Sequence, residues 1–126
     1  MPLVRFLFVW WRNATVGTRV MTWLRGHAVG KDKFGNHYYQ SKNGVRRWVI
    51  YNGTVEASRV PPEWHGWIHH MVRNPPTTDP PKHKSWEKDH LPNLTGTPGA
   101  LRPPGSLAAL GVRPPATGDY EAWTPD

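Results

Sequence analysis

The sequence predicts a small α+β fold: an antiparallel β-meander of three to four strands, one short tryptophan-rich helix, an N-terminal apolar and basic segment, and a long extended proline-rich C-terminal tail. Three observations lead there. Apolar alternation punctuated by Asn-Gly turn signals fills residues 15–53, tryptophans at helical spacing follow Pro61 and Pro62, and 11 of the 14 prolines fall after Asn74. Ordinary proteins hold about 5% proline and about 7% glycine. A chain of 126 residues with 14 prolines and 12 glycines therefore has less packed core than its length allows. The expected organisation is a segment over 1–14, a folded unit over 15–73 and a tail over 74–126 without a core of its own.

In the first segment Leu3, Phe6, Leu7 and Trp10 follow the i, i+3, i+4, i+7 rule, with Arg5 and Arg12 on the opposite side. An interfacial helix fits this pattern, and so does a strand or helix buried under a partner. The apolar run from Leu3 to Trp11 would reach about 13 Å as a helix against about 30 Å of hydrocarbon, so it is too short to cross a bilayer. No basic stretch precedes it and no small-x-small site follows, which is unlike a secretory signal. The Asn-x-Thr triplets at Asn13, Asn52 and Asn93 are then incidental.

From Thr15 to Tyr51 the text is β-like. Val20, Thr22 and Leu24 alternate with Arg19, Met21 and Trp23, and Gly26-His27 offers a turn. Asn36 to Gln40 and Arg46 to Tyr51 read as two further strands joined by Lys42-Asn43-Gly44, with Lys33 to Asn36 as another tight turn. Asn52-Gly53 is a second turn signal, after which Thr54 to Ala57 starts a short return strand. Tyr38, Tyr39, Trp48, Ile50 and Tyr51 are the expected packing residues.

Pro61 and Pro62 suit the first turn of a helix, where a missing N–H has no partner, and Glu63 suits the positive end of its dipole. Trp64, Trp67, Ile68 and Met71 then share a face, and Asn74 before Pro75 ends the element, which should lie across the meander.

Cysteine is absent, which excludes disulfides, thiolate zinc sites, iron–sulfur ligation and cysteine nucleophiles. His65 and His69 have the i, i+4 spacing of helical metal sites, but Gly66 stands where HExxH requires glutamate. His70, His83 and His90 are the other nearby imidazoles, and histidines flanking a docking face is the favoured reading. Gly26 to Lys31 departs from a phosphate loop, with Asp32 in the Ser/Thr position, and no Gly-x-Ser-x-Gly exists. No catalytic, cofactor-binding or metal residue is assigned, and no cofactor is expected.

Charge divides the chain. Residues 1–53 carry nine Lys/Arg against Asp32 alone, a balance of +8, and residues 54–126 carry seven against eight, leaving +7 overall. The basic half seeks lipid headgroups, nucleic acid or an acidic protein. Basic and aromatic residues interleave from Lys31 to Trp48, which makes a nucleic-acid-binding module a rival, although the usual aromatic RNA-binding signature is missing. A unit of about 60 residues buries only about 60% of its unfolded surface. Trp10, Trp11, Trp86 and Trp123 lie outside the meander and helix, and with Trp64, Trp67 and Leu94 they are the candidate partner-interface anchors. These features describe a subunit that completes its fold on a larger assembly, its tail laid as a strap.

Five stretches in order carry a specific resemblance: Val29-Gly30-Lys31-Asp32-Lys33-Phe34-Gly35-Asn36-His37-Tyr38-Tyr39, Arg47-Trp48-Val49-Ile50-Tyr51, Val60-Pro61-Pro62-Glu63-Trp64-His65-Gly66-Trp67-Ile68-His69, Pro75-Pro76-Thr77-Thr78 and Asn93-Leu94-Thr95-Gly96-Thr97-Pro98. From about Thr15 to Trp123 the chain resembles a small accessory-subunit family of respiratory complex I, the NADH:ubiquinone oxidoreductase. The resemblance implies a non-catalytic supernumerary subunit on the hydrophilic arm, beside the iron–sulfur subunits near the quinone-binding region and close to the membrane. Nucleic acid is then not an expected partner. The same family includes an assembly factor, and the proline strap with Asn93 to Pro98 favours the permanent subunit. Only eight residues separate Tyr51 from Val60, where mitochondrial members resemble a longer hairpin. The chain is thus similar to a bacterial, alphaproteobacterial member. That implies the cytoplasmic side of the inner membrane, or the matrix side if eukaryotic.

Overall fold

The computed structural model describes residues 13–109, 111, 112, 115, 118, 120 and 122–125. The expected N-terminal element with Trp10 and Trp11 lies outside them. The chain forms two compact units, Met1–Asn93 and Leu94–Asp126. In the first, helix α1 (Val16–Arg25) is followed by strands β1 (Gly26–Lys31), β2 (His37–Ser41) and β3 (Arg47–Ile50), a 3-10 turn (Ala57–Arg59) and helix α2 (Pro62–Ile68). The strands make one antiparallel sheet in the order β1-β2-β3, the small α+β fold that the sequence implies.

Residues 16–25 are a helix, not the strand their alternation suggests. Thr15 caps the helix by accepting from the Thr18 N–H at 3.3 Å, and Arg25 sits in the last turn, favourably placed for the dipole. The Thr22 hydroxyl donates to the Thr18 carbonyl at 2.8 Å and accepts from the Trp48 indole N–H at 3.0 Å. The second of these bonds ties the helix to β3. Gly26 and His27 do not turn the chain but open β1.

β1 and β2 pair from Gly26↔Ser41 to Lys31↔His37, with a register shift between Ala28 and Gly30. The bulge at Val29 carries this side chain onto the core. At Gly30 a Cβ would stand 2.6 Å from the Thr77 methyl and 2.9 Å from the Trp64 ring, so two other segments close over the strand there. β2 and β3 pair from His37↔Ile50 to Gln40↔Arg47, joined through Lys42-Asn43-Gly44 as the turn signal indicates. Beyond β3 the expected return strand gives way to the 3-10 turn.

The turn between β1 and β2 is built on Asp32. Its Oδ1 accepts from the N–H groups of Phe34 and Asn36 at 2.8 and 3.0 Å, and its Oδ2 from the Asn36 amide and the Tyr38 hydroxyl at 2.8 and 2.9 Å. Four donors satisfy a carboxylate that is 7% exposed. Asn36, wholly buried, also donates to the Arg59 carbonyl and accepts from the Asn52 N–H, linking three separate loops. Burial first, and then the hydrogen bond to Asp32, push the Tyr38 phenol well above the ordinary tyrosine range.

Tyr38 is the floor of the core. Trp64 stacks on it at 3.9 Å between centroids, and Trp67 meets both rings edge-on. Pro62 and Glu63 start α2 as the sequence indicates. The helix, however, stops at Ile68 and does not run to Asn74. His70 takes a left-handed conformation (φ 61°), its N–H bonding the Trp67 carbonyl while the Met71 N–H reaches back to Gly66. This is a Schellman closure. Met71 is thereby thrown off the apolar face and is exposed. The Arg47 guanidinium holds the exit, donating to the carbonyls of Trp67, Val72 and Arg73 and lying 4.7 Å above the Trp67 ring.

Residues 75–93 have no helix or strand but are fastened to this unit: His90 bonds the Ser58 carbonyl at 2.7 Å, and the Asn93 N–H donates to the Ser58 hydroxyl at 3.0 Å. In the second unit the described residues form turns, such as Leu94–Thr97 and Pro103–Ser106.

Asp32→Asn sets an amide N–H against groups that already donate, and is expected to cost about 2–4 kcal/mol in urea denaturation of the purified chain. Because the Tyr38 pKa is raised above 10.0, its contribution is complete below that pH and is lost as pH rises further. Tyr38→Phe is expected to cost about 1–2 kcal/mol at neutral pH and to flatten the alkaline decline in stability. Tyr51, also raised by burial, leaves a residual slope. An equally steep decline in the variant would contradict the assignment. Gly30→Ala is expected to lower stability by about 1–3 kcal/mol through overpacking, read as a shifted denaturation midpoint.

Candidate docking surface

The residues expected to anchor a partner separate into two groups. Trp64 and Trp67, 3% and 1% exposed, are core residues, so the expectation that they face a partner is corrected. A helical row of indoles looks the same in sequence whether it points inward or outward, and here the Tyr38 ring and the Gly30 backbone occupy its far side. Trp86 and Trp123 are 76% and 81% exposed, and Leu94 lies at a turn at 37%. Trp10 and Trp11 fall outside the described residues.

A surface that the strand reading concealed lies on α1. Trp23 is 80% exposed, Leu24 51% and Val20 47%, while Thr22 alone in the helix is buried. Residues three and four apart share a helix face. Val20, Trp23 and Leu24 therefore form one apolar stripe turned away from the sheet, with threonine turned toward it. The signal was present as Val16, Val20, Trp23 and Leu24 at i, i+4, i+7 and i+8 behind a threonine cap, and the two-residue alternation masked it.

Around Trp86 the loop is held by side-chain pairs. His83 Nδ1 lies 2.8 Å from a Glu87 oxygen and lowers that carboxyl's pKa, and Lys33, 2.5 Å from Asp89, lowers that of Asp89. Both carboxylates sit at the surface, where such pairs contribute little to stability. Their effect is to fix the loop that displays the indole.

His65 on α2 and His69 at its C-cap are exposed, with ring centroids 4.3 Å apart. Among the described residues no three His, Cys, Asp or Glu side chains gather to hold a metal. No helix among them is long and apolar enough to cross a membrane. What the geometry offers is contact area, in the exposed indoles and aliphatic chains.

The sequence model of one family, NADH ubiquinone oxidoreductase subunit NDUFA12, matches residues 26–125. The chain is 46% identical over 87 residues to NADH dehydrogenase [ubiquinone] 1 alpha subcomplex subunit 12 of Bos taurus, covering 58% of this chain and 59% of that one. It is 39% identical to the protein of that name in Dictyostelium discoideum, covering 65% and 63%. An uncharacterized protein of Rickettsia prowazekii is 43% identical over 54 residues, covering 38% and 54%. The chain spans about three-fifths of the length of the first two relatives. Since the match takes in the whole sheet, the Asp32 turn, α2 and the proline-rich stretch after it, the chain belongs to the NADH ubiquinone oxidoreductase subunit NDUFA12 family.

Proposed function

We propose that this protein is a non-catalytic accessory subunit of an NADH:ubiquinone oxidoreductase. Its work is to stabilise the peripheral arm near the membrane and the quinone-binding region, chiefly against iron–sulfur subunits. The family match over residues 26–125 carries this reading. The chemistry of the chain supports it: the Asp32 carboxylate is saturated by turn donors, and the Tyr38 phenol is held protonated in the core. Large apolar side chains from Trp23 to Trp123 along the sequence are exposed, which supports burial against partners. The similarity to the Rickettsia protein supports a bacterial setting, with the chain on the cytoplasmic side of the inner membrane.

In this reading the docking anchors are Trp86, Leu94 and Trp123, with Trp10 and Trp11 from the N-terminal segment. Trp64 and Trp67 act indirectly, by keeping the scaffold folded.

Purified from solubilised respiratory membranes, the tagged chain is expected to travel with NADH dehydrogenase activity through a density gradient. A chain found free of that activity would overturn the proposal, and one confined to precursor particles would make it an assembly factor. Trp86→Ala and Trp123→Ala are each expected to weaken retention by about 2 kcal/mol, leaving the denaturation midpoint of the free chain unchanged. Trp67→Ala is expected to cost the fold itself about 3–5 kcal/mol. Thermal melts of the free variants, set beside their occupancy in the complex, separate the two effects.

A further inference from the structure

Helix α1 is amphipathic in reverse: its buried residue is Thr22, and its apolar stripe of Val20, Trp23 and Leu24 faces away from the domain. The sequence that carries that stripe is basic throughout. Between Asn13 and Lys31 the sequence carries Arg19, Arg25, His27 and Lys31 and no acidic residue, and the acid that follows, Asp32, is turned inward into its ring of donors. Arg25, His27 and Lys31 are all exposed. An apolar stripe with cationic flanks and no carboxylate complements a surface with a hydrocarbon interior and an anionic rim. An acidic protein groove would supply the charge, but the 80% exposed indole of Trp23, apolar in body with one N–H at its edge, fits the boundary between headgroups and acyl chains.

We propose that α1 is a lipid-docking element that lies in the plane of an anionic bilayer surface, with Trp23 and Leu24 inserted at the acyl boundary and Arg25 and Lys31 at the phosphates. Ten residues of helix extend only about 15 Å, so α1 rests on the membrane and does not cross it. Thr22 fixes its orientation. The bond from the Trp48 indole to the Thr22 hydroxyl locks the polar side of α1 to β3 and leaves the apolar side outward before any membrane is met. This deepens the membrane-proximal position proposed above by naming the element and the surface it takes. It is read on the free chain, so it can fail while copurification succeeds, and the reverse.

The chain has no cysteine, so a single introduced thiol carries a label uniquely. With an environment-sensitive fluorophore on Trp23→Cys, phosphatidylglycerol-containing vesicles are expected to shift emission to the blue. The same label on Met71→Cys, beyond α2, should stay hydrated. In unlabelled chain, Trp23→Ala with Leu24→Ser is expected to weaken partitioning to these vesicles by about tenfold or more, with an unchanged melting curve. Phosphatidylcholine vesicles, or anionic ones in high salt, are expected to bind much less. An unshifted label at position 23, or partitioning that the double variant leaves intact, would overturn the proposal. So would loss of the double variant from the purified enzyme without any vesicle binding by the parent chain, which would make the stripe a protein contact.

Discussion

Everything in the folded unit depends on one carboxylate. Asp32 is almost fully withdrawn from water, and a buried charge is tolerated only when its lone pairs are matched by donors. The four donors come from Phe34, Asn36 and Tyr38, so the turn can close in only one way. That geometry sets the phase of β2, and the phase puts Tyr38 inward. Were β2 to slip by one residue, Tyr39 would face α2 and Tyr38 would face the other side. Trp64 and Trp67 have a surface to pack on because this does not happen.

So small a core makes such a polar anchor useful. Its buried apolar residues are Tyr38, Val60, Trp64 and Trp67, with Val29, Val49, Tyr51 and Ile68 around them. Three aromatic rings supply most of the area, and their mutual geometry adds about 0.5–1.5 kcal/mol per pair beyond burial. The Asn36 side chain carries the same order outward, since it bonds the loops at Asn52 and Arg59 as well as the turn. The result is a unit in which apolar mass is concentrated and loops are positioned by hydrogen bonds.

Elements governed by local chemistry were legible in the sequence. The β2–β3 hairpin followed from Asn43-Gly44, and the start of α2 from Pro61, Pro62 and Glu63. Elements decided by distant partners were not. Residues 20–24 alternate like a strand, but the Thr15 cap and the bond between Thr22 and Trp48 select a helix. The end of α2 depends on His70 adopting a conformation that favours glycine and on Arg47 from β3, neither visible in the local pattern. For the candidate surface, composition points to surplus aromatic area, and Trp86 and Trp123 are exposed. It could not say which indoles the domain keeps for itself, because spacing describes a face and not what the face meets.

The exit from α2 also determines how the chain bears mechanical load. Three carbonyls hang from the Arg47 guanidinium, and farther on Ser58 grips both His90 and Asn93. A pull applied beyond Asn93 meets the Ser58 grip first, then the Lys33–Asp89 pair and the Thr77 contact at Gly30, and the arginine clamp last. The domain is thus provided with strain relief ahead of its core, like a cable gripped before its socket. A neighbour that tugs on the proline-rich end strains the Ser58 grip before the rings within.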